Sequence, residues 1–258
     1  VRLEPIESWA AREFISTHHY SGRAYSKSRL HFGCFLGGKL IGVLQWGPSI
    51  DTRRTLCLVP GTRWDGYLEL NRMAFLDDTP HCVESRCLSV AARLIQKGAP
   101  HIGWLLSYAD GCQCGTGASY RGAGWLLTGI RENTTLWRTP DGRIVSDIGI
   151  RSTPSLATRL GCGRGTRREM EAAGLRVLPG RQYRYMRMLT SEARSRLAVP
   201  VLPYSDIDAG PPVGSQAPPA PVGARRDRPA PPTQRTLWDR MPDYMIRLPD
   251  RAGPGEVM

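Results

Sequence analysis

The stretch 105–120, LLSYADGCQCGTGASY, sets an acid and a phenol at one junction. An apolar run ends in Ser107, Tyr108, Ala109 and Asp110, passes through a glycine and cysteine loop, and restarts as a small-residue segment carrying Tyr120. This reads as strand, turn and helix, and α/β folds place their sites just outside the carboxyl ends of strands. Asp110 and Tyr120 there could relay a proton, although a strand-end aspartate is equally what a turn or an N-cap requires. His18, His19 and Tyr20 lie in a polar loop, THHYSG, after a helical pattern at 7–16. A histidine in such a loop is available for chemistry; its plainer use is to end the helix, favoured by the C-terminal dipole.

Two further positions invite an anion. Arg72 interrupts an apolar alternation between Leu70 and Met73, where a charge needs a partner: either a salt bridge, for instance to Glu84, or an anionic substrate group. Ser85 opens a helical pattern at 83–97, where free backbone N–H groups favour negative charge, and ordinary helix-start chemistry explains it equally well. Cys112 and Cys114, with Cys82 and Cys87, raise a zinc reading. The single residue between Cys112 and Cys114 falls short of the usual ligand spacing, and buried apolar cysteines are the default.

Lys and Arg together number 35 against 23 Asp and Glu, and only Lys27, Lys39 and Lys97 are lysines. Arginine forks suit phosphate. The runs RGTRR (Arg164, Arg167, Arg168) and RQYRY (Arg181, Arg184) interleave cations with glycine or aromatics, as DNA-binding segments do, though a solvated surface would look the same. Seven cysteines without an evident framework or signal peptide suit a reducing cytoplasm. No run approaches the roughly 20 apolar residues of a membrane span, so no membrane partner is expected.

The elements that must position these groups follow from periodicity. After the helix at 7–16, apolar runs at 31–36 and 40–46 join through Gly37 and Gly38, a hairpin signature. A third strand at 67–75, the helix at 83–97 and a buried-type strand at 102–108 come next. Beyond a short helix near 118–125, strands are expected at 125–130, 136–138 and 143–148, helices at 155–160 and 166–173, and a last strand at 183–189. The fold class is α/β, a mixed sheet carrying helices, in one domain at 1–199 with a basic helical insertion at 155–174. From 200 the chain turns Pro-rich without apolar period and is expected to be a disordered tail over 200–258.

Four pieces resemble the phage Mom family in that family's order: HHYSG at 18–22, ELNR at 69–72, ESR at 84–86, and SYAD at 107–110 with Tyr120 and Trp125 beyond it. The QYRY strand at 182–185 fits as well. The resemblance spans 1–190 and implies a Gcn5-related acyltransferase-like fold. It also implies a transferase that methylcarbamoylates the exocyclic amine of adenine in double-stranded DNA, as phage anti-restriction in a bacterial host. With it come an iron held by His19, Tyr20, Asp110 and Tyr120, donor positioning by Arg72 and Ser85, and DNA contacts through Arg164, Arg167, Arg168, Arg181 and Arg184. Acyl-CoA enzymes of the wider fold cradle pyrophosphate on a glycine-rich loop before the central helix. Here that loop reads LDDTPHCVE, so acetyl-CoA is not the expected donor, and the acyl or carbamoyl donor stays open, as does a homodimer. The rival readings are an acyl-CoA-dependent N-acetyltransferase and a non-enzymatic DNA-binding protein.

Overall fold

The structure, a computed structural model, describes residues 1–163 and 165–208; the expectations for Arg164 and for 209–258 lie outside these. In chain order come β1 (Arg2–Pro5), α1 (Ser8–His18), the hairpin β2 (Leu30–Leu36) and β3 (Lys39–Gly47), the short α2 (Thr52–Leu56), β4 (Tyr67–Phe75), α3 (Val83–Gly98) and β5 (Trp104–Asp110). They are followed by α4 (Ala118–Gly122), β6 (Leu126–Glu132), β7 (Leu136–Arg138), β8 (Ile144–Ser146), α5 (Asp147–Ser152), α6 (Pro154–Arg159), α7 (Arg167–Ala172), β9 (Arg176–Val177), β10 (Arg181–Met188), α8 (Ser191–Ser195) and a 3-10 turn at Tyr204–Ile207.

Seven strands form one mixed sheet in the order β1-β2-β3-β4-β5-β10-β6. The β2–β3 turn uses Gly37 and Gly38, both at positive φ, the backbone a two-residue hairpin needs. Helix α3 buries Val83, Cys87, Leu88, Ala91, Ala92 and Ile95 along one stripe and crosses over to make β5 parallel to β4. Val83, Leu88 and Ile95 each contribute roughly 1.5–3 kcal/mol by leaving water. Helix α1 packs Ala11, Phe14 and Ile15 on Val43 and Ala74, whereas α3 and α4 share the large core with Leu44, Leu70, Leu105 and Tyr185.

The feature that makes a site is a short pairing. β4 and β5 register over only Tyr67↔Trp104, Leu68↔Leu105 and Glu69↔Leu106, and then part. Beyond that point β4 continues against β3, and Ser107 to Asp110 continue against β10. A register shift between Gln45 and Trp46 leaves Asn71 as the extra residue on β4, and such a bulge re-aims the side chains beyond it. Arg72 then pairs with Gln45, next to Val43↔Ala74, and shares the face covered by α1.

Three expectations need correction. The insertion between β6 and β10 is larger than a pair of helices at 155–174: β8-β7-β9 form a second sheet, and Trp137, Ile150, Ala157, Cys162, Met170 and Leu175 form its own core. The strand expected at 143–148 ends at Ser146, whose hydroxyl accepts the Gly149 N–H at 3.0 Å and starts α5. The domain also does not stop at 199. Leu202 donates its N–H to Leu127 O at 2.8 Å, the Tyr204 hydroxyl donates to Trp125 O at 2.6 Å, and Ile207 is buried. Three well-spaced apolar side chains cover the β6 edge here, a signal hidden by the Pro-rich composition around them.

Candidate functional site

Asp110 is the last residue of β5. Its carboxylate accepts the Cys112 N–H at 3.0 Å and a Gln113 Nε2–H at 2.8 Å, while its carbonyl takes the Cys114 N–H at 2.8 Å. The turn this builds is tight. A Cβ on Gly111 would come within 2.6 Å of Arg181 O and 2.7 Å of the Tyr183 ring, so only glycine lets β10 approach here. The Cys114 thiol is thereby brought to the Tyr20 hydroxyl, and burial pushes its pKa up. Tyr20 is 54% exposed, yet its hydroxyl pKa is raised, first by burial and then by Cys114 and Asp110, with Arg72 opposing.

His19 caps α1 by donating its N–H to Ile15 O at 2.9 Å, and its ring packs on Tyr20 at 4.2 Å. Its Nδ1 lies 2.8 Å from Ser21 Oγ. Burial, helped by the Arg72 guanidinium, lowers its pKa to about 4, so the ring is neutral at physiological pH. Its Nδ1 also accepts the Ser21 N–H at 3.1 Å, and a neutral imidazole is the protonation state a metal ligand needs. His19 packs on Tyr20 and Tyr20 lies near Asp110, nitrogen and oxygen donors of the kind iron takes. His18 is exposed and packs on Phe14, away from them.

Tyr120 reaches the same groups from the core side, where Cys114 and Tyr20 act on its hydroxyl. It is buried in the main core between Tyr185 and Trp125, and its hydroxyl accepts the Ser107 hydroxyl proton at 2.8 Å. Burial raises its pKa, as it does that of Tyr20. The sequence places an acid and a phenol at one junction, and the junction exists; the acid ends a strand at the surface and the phenol fills the layer behind the sheet.

Arg72 makes no bridge to Glu84. Its Nε donates to Arg23 O at 3.1 Å and its Nη1 to Asn71 O at 2.6 Å, and its charge acts on His19 and Tyr20. Glu84 accepts the Ser119 hydroxyl instead, tying α3 to α4. Ser85 donates to Cys82 O at 3.0 Å, and a Cβ on Gly122 would meet its Cβ at 3.2 Å; it is a packing residue between those helices. Cys87 meets Cys34 in the core at 3.0 Å, so it cannot join Cys112 and Cys114 around zinc. Among the described residues no group of three or more His, Cys, Asp or Glu side chains could hold a metal ion.

Of the arginines assigned to DNA, Arg181 pairs with Glu132 at 3.1 Å and Arg184 donates to Thr128 Oγ1 at 3.0 Å and to Thr128 O at 2.5 Å. Both lie on an inner strand of the sheet and are engaged in holding β10 to β6. Arg167 pairs with Glu171 at 2.9 Å and lies over the Trp137 ring, and Arg168 is exposed. Sequence reasoning missed Glu69 and Tyr108, which the splay of β4 and β5 puts side by side; the signal that could have found them is period-2 spacing from Tyr67 and Trp104, stacked at 4.8 Å. Among the described residues no helix is long and apolar enough to cross a membrane.

The sequence model of the Mom protein family matches residues 1–206. Methylcarbamoylase mom of Escherichia phage Mu is 37% identical over 198 residues, which cover 76% of this chain and 79% of that protein. Among solved structures, the ribosomal-protein-S18-alanine N-acetyltransferase of Escherichia coli is similar at a TM-score of 0.43 and 12% identity, covering 73% of this chain and 94% of that one. An IAA acetyltransferase of Bacillus cereus is similar at a TM-score of 0.40 and 11% identity, covering 72% and 98%.

Proposed function

This chain belongs to the Mom protein family, and from that premise we propose that it transfers a methylcarbamoyl group to the exocyclic amine of adenine in double-stranded DNA. The observation that carries the reading is the meeting of His19, Tyr20, Arg72 and Asp110 at the mouth of the β4–β5 splay. Adenine N6 is a weak nucleophile. As N6 bonds to the transferred carbon, that carbon's bond to the rest of the donor breaks and the leaving group departs with the electron pair, while N6 loses a proton that Asp110 is placed to take. Arg72, anchored by two carbonyls, is placed to hold a negative group of the donor. The turn before α3 has Cys82 at φ +63° and no glycine between 76 and 83, which supports a donor other than acyl-CoA. The role in phage anti-restriction is part of the same proposal.

The test is mass spectrometry of nucleosides from plasmid DNA co-resident with the protein. A methylcarbamoyl increment on deoxyadenosine is expected; unmodified DNA from cells making folded protein would leave a binding protein, and an acetyl increment on protein an N-acetyltransferase.

Bound iron would supply a Lewis acid to the donor carbonyl, held by His19, Tyr20, Asp110 and Tyr120. Purified protein is expected to carry iron, with His19→Ala removing most of it in elemental analysis. Iron unchanged in that variant would remove His19 from the ligand set.

DNA is expected to meet the inserted unit. Replacing Arg167 and Arg168 by alanine should weaken binding about uniformly across sequences and reduce the salt slope by about 1 for each phosphate no longer neutralised. Gel-shift titrations at two salt concentrations check this; unchanged affinity and slope would move the DNA face elsewhere.

A further inference from the structure

Glu69 is the last β4 residue paired to β5, and Tyr108 lies two residues beyond its partner Leu106, on the same face. That face is opposite the α3 and α4 layer, since Tyr67, Trp104, Leu106 and Met186 form a separate cluster below it. Tyr108 has an open ring, 48% exposed, with a hydroxyl so enclosed that burial, with help from Glu69, pushes its pKa up to about 12. Across the strand it pairs with Arg184, whose guanidinium is fixed on Thr128, and Arg131 lies near it at the rim, exposed.

Glu69 is mostly enclosed: burial raises its pKa, opposed by Ser49, by the Asn71 amide that donates to its Oε1 at 3.5 Å, and by the charge of Arg72. Around it, Tyr25, Tyr67 and Tyr108 supply three phenols. The walls are built closely. The Asn71 side chain donates to Pro48 O at 3.1 Å and accepts the Ser28 hydroxyl at 2.9 Å, pinning two loops beside Glu69. A Cβ on Gly47 would strike Asn71 Oδ1 at 2.7 Å and the Ser28 backbone at 2.8 Å, so glycine there lets the walls close.

A flat, half-open aromatic ring over a recessed acceptor is what an unstacked base needs: a π-face to lie on and a group to read its edge. We propose that this pocket receives the adenine displaced from DNA, the base stacking on Tyr108 while a Glu69 carboxyl oxygen accepts an N6–H. The exposed Arg131 at its rim meets a flanking phosphate. The proposal rests on the adenine-transfer reading for its biological sense, but the pocket can be probed without it.

The probe is a thymidine oligonucleotide carrying one 2-aminopurine, whose fluorescence falls on stacking. Wild-type protein and Tyr108→Phe should quench it, and Tyr108→Ala should weaken that binding by about tenfold or more while keeping its circular dichroism. Displacement by thymidine oligonucleotides with a single adenine or a single hypoxanthine reads Glu69. Wild type should favour adenine, because hypoxanthine places an oxygen where N6–H stood, and Glu69→Ala should lose that preference, a change that a purely structural role would not produce. Quenching and preference that survive in folded Tyr108→Ala and Glu69→Ala overturn the proposal. Absence of modified adenine in plasmid DNA from cells making wild type would sink the transfer reading alone, since a Tyr108-dependent quench in that protein still upholds the base pocket.

Discussion

Asp110→Ala protein is expected to keep its secondary structure and to lose adenine modification by about a hundredfold or more, the scale of a removed proton acceptor. The carboxylate holds the Cys112 N–H and the Gln113 side chain, so its loss as a turn cap costs about 1 kcal/mol, which a domain of this size tolerates. Proximity to the Tyr20 hydroxyl gives it a second role that a cap does not need. Asp110→Asn separates the two. The amide oxygen still accepts the Cys112 N–H and keeps the turn, but it cannot take a proton from N6. Equal inactivity of Asn and Ala variants, with Asn melting closer to wild type, is the expected pattern in nucleoside mass spectrometry and thermal unfolding. An Asp110→Asn protein that modifies DNA at the wild-type level would reduce Asp110 to a turn residue.

Much of the scaffold was legible because its periodicities are local. The α3 stripe, the Gly37–Gly38 hairpin and the apolar run into Asp110 each state their element in a window of a dozen residues. The site was legible in types and not in partners. His19 lies against Tyr20, and Tyr20 lies near Asp110, whereas the Tyr120 ring packs in the core and its hydroxyl accepts from Ser107, a partner that residue types alone do not reveal. Arg72 was read by plain alternation, which the bulge at Asn71 breaks, and its neighbours were therefore misassigned. Arg181 and Arg184 looked free because charge in sequence carries no information on Glu132 or Thr128 across the sheet. Glu69 and Tyr108 were invisible as a pair, since only the parting of two parallel strands sets them together.

The same limit governs where the domain ends, and it sets the largest expected effect on stability. A chain ending at Asp208 keeps the cover of the β6 edge, and a chain ending at Pro200 loses it. The shorter chain forgoes the burial of Ile207, worth about 2 kcal/mol before the entropy of ordering it. The Tyr204 hydroxyl bond to Trp125 O, about 1 kcal/mol net, goes too, as does the bridge between Leu202 and Leu127. Arg181 loses the Ile207 carbonyl, at 3.4 Å, that helps fix it on β10. Because Trp125 packs against both Tyr120 and Trp46, opening this edge loosens the layer directly behind the site. After the entropic offset the shorter chain should be less stable by about 2 kcal/mol, a fall of about 5 °C in melting temperature for a domain of this size, and should aggregate more readily through the bared edge. Matched thermal unfolding of the two chains checks this, and coincident melting curves would return the boundary to 199 and make the packing of Leu202, Tyr204 and Ile207 energetically idle.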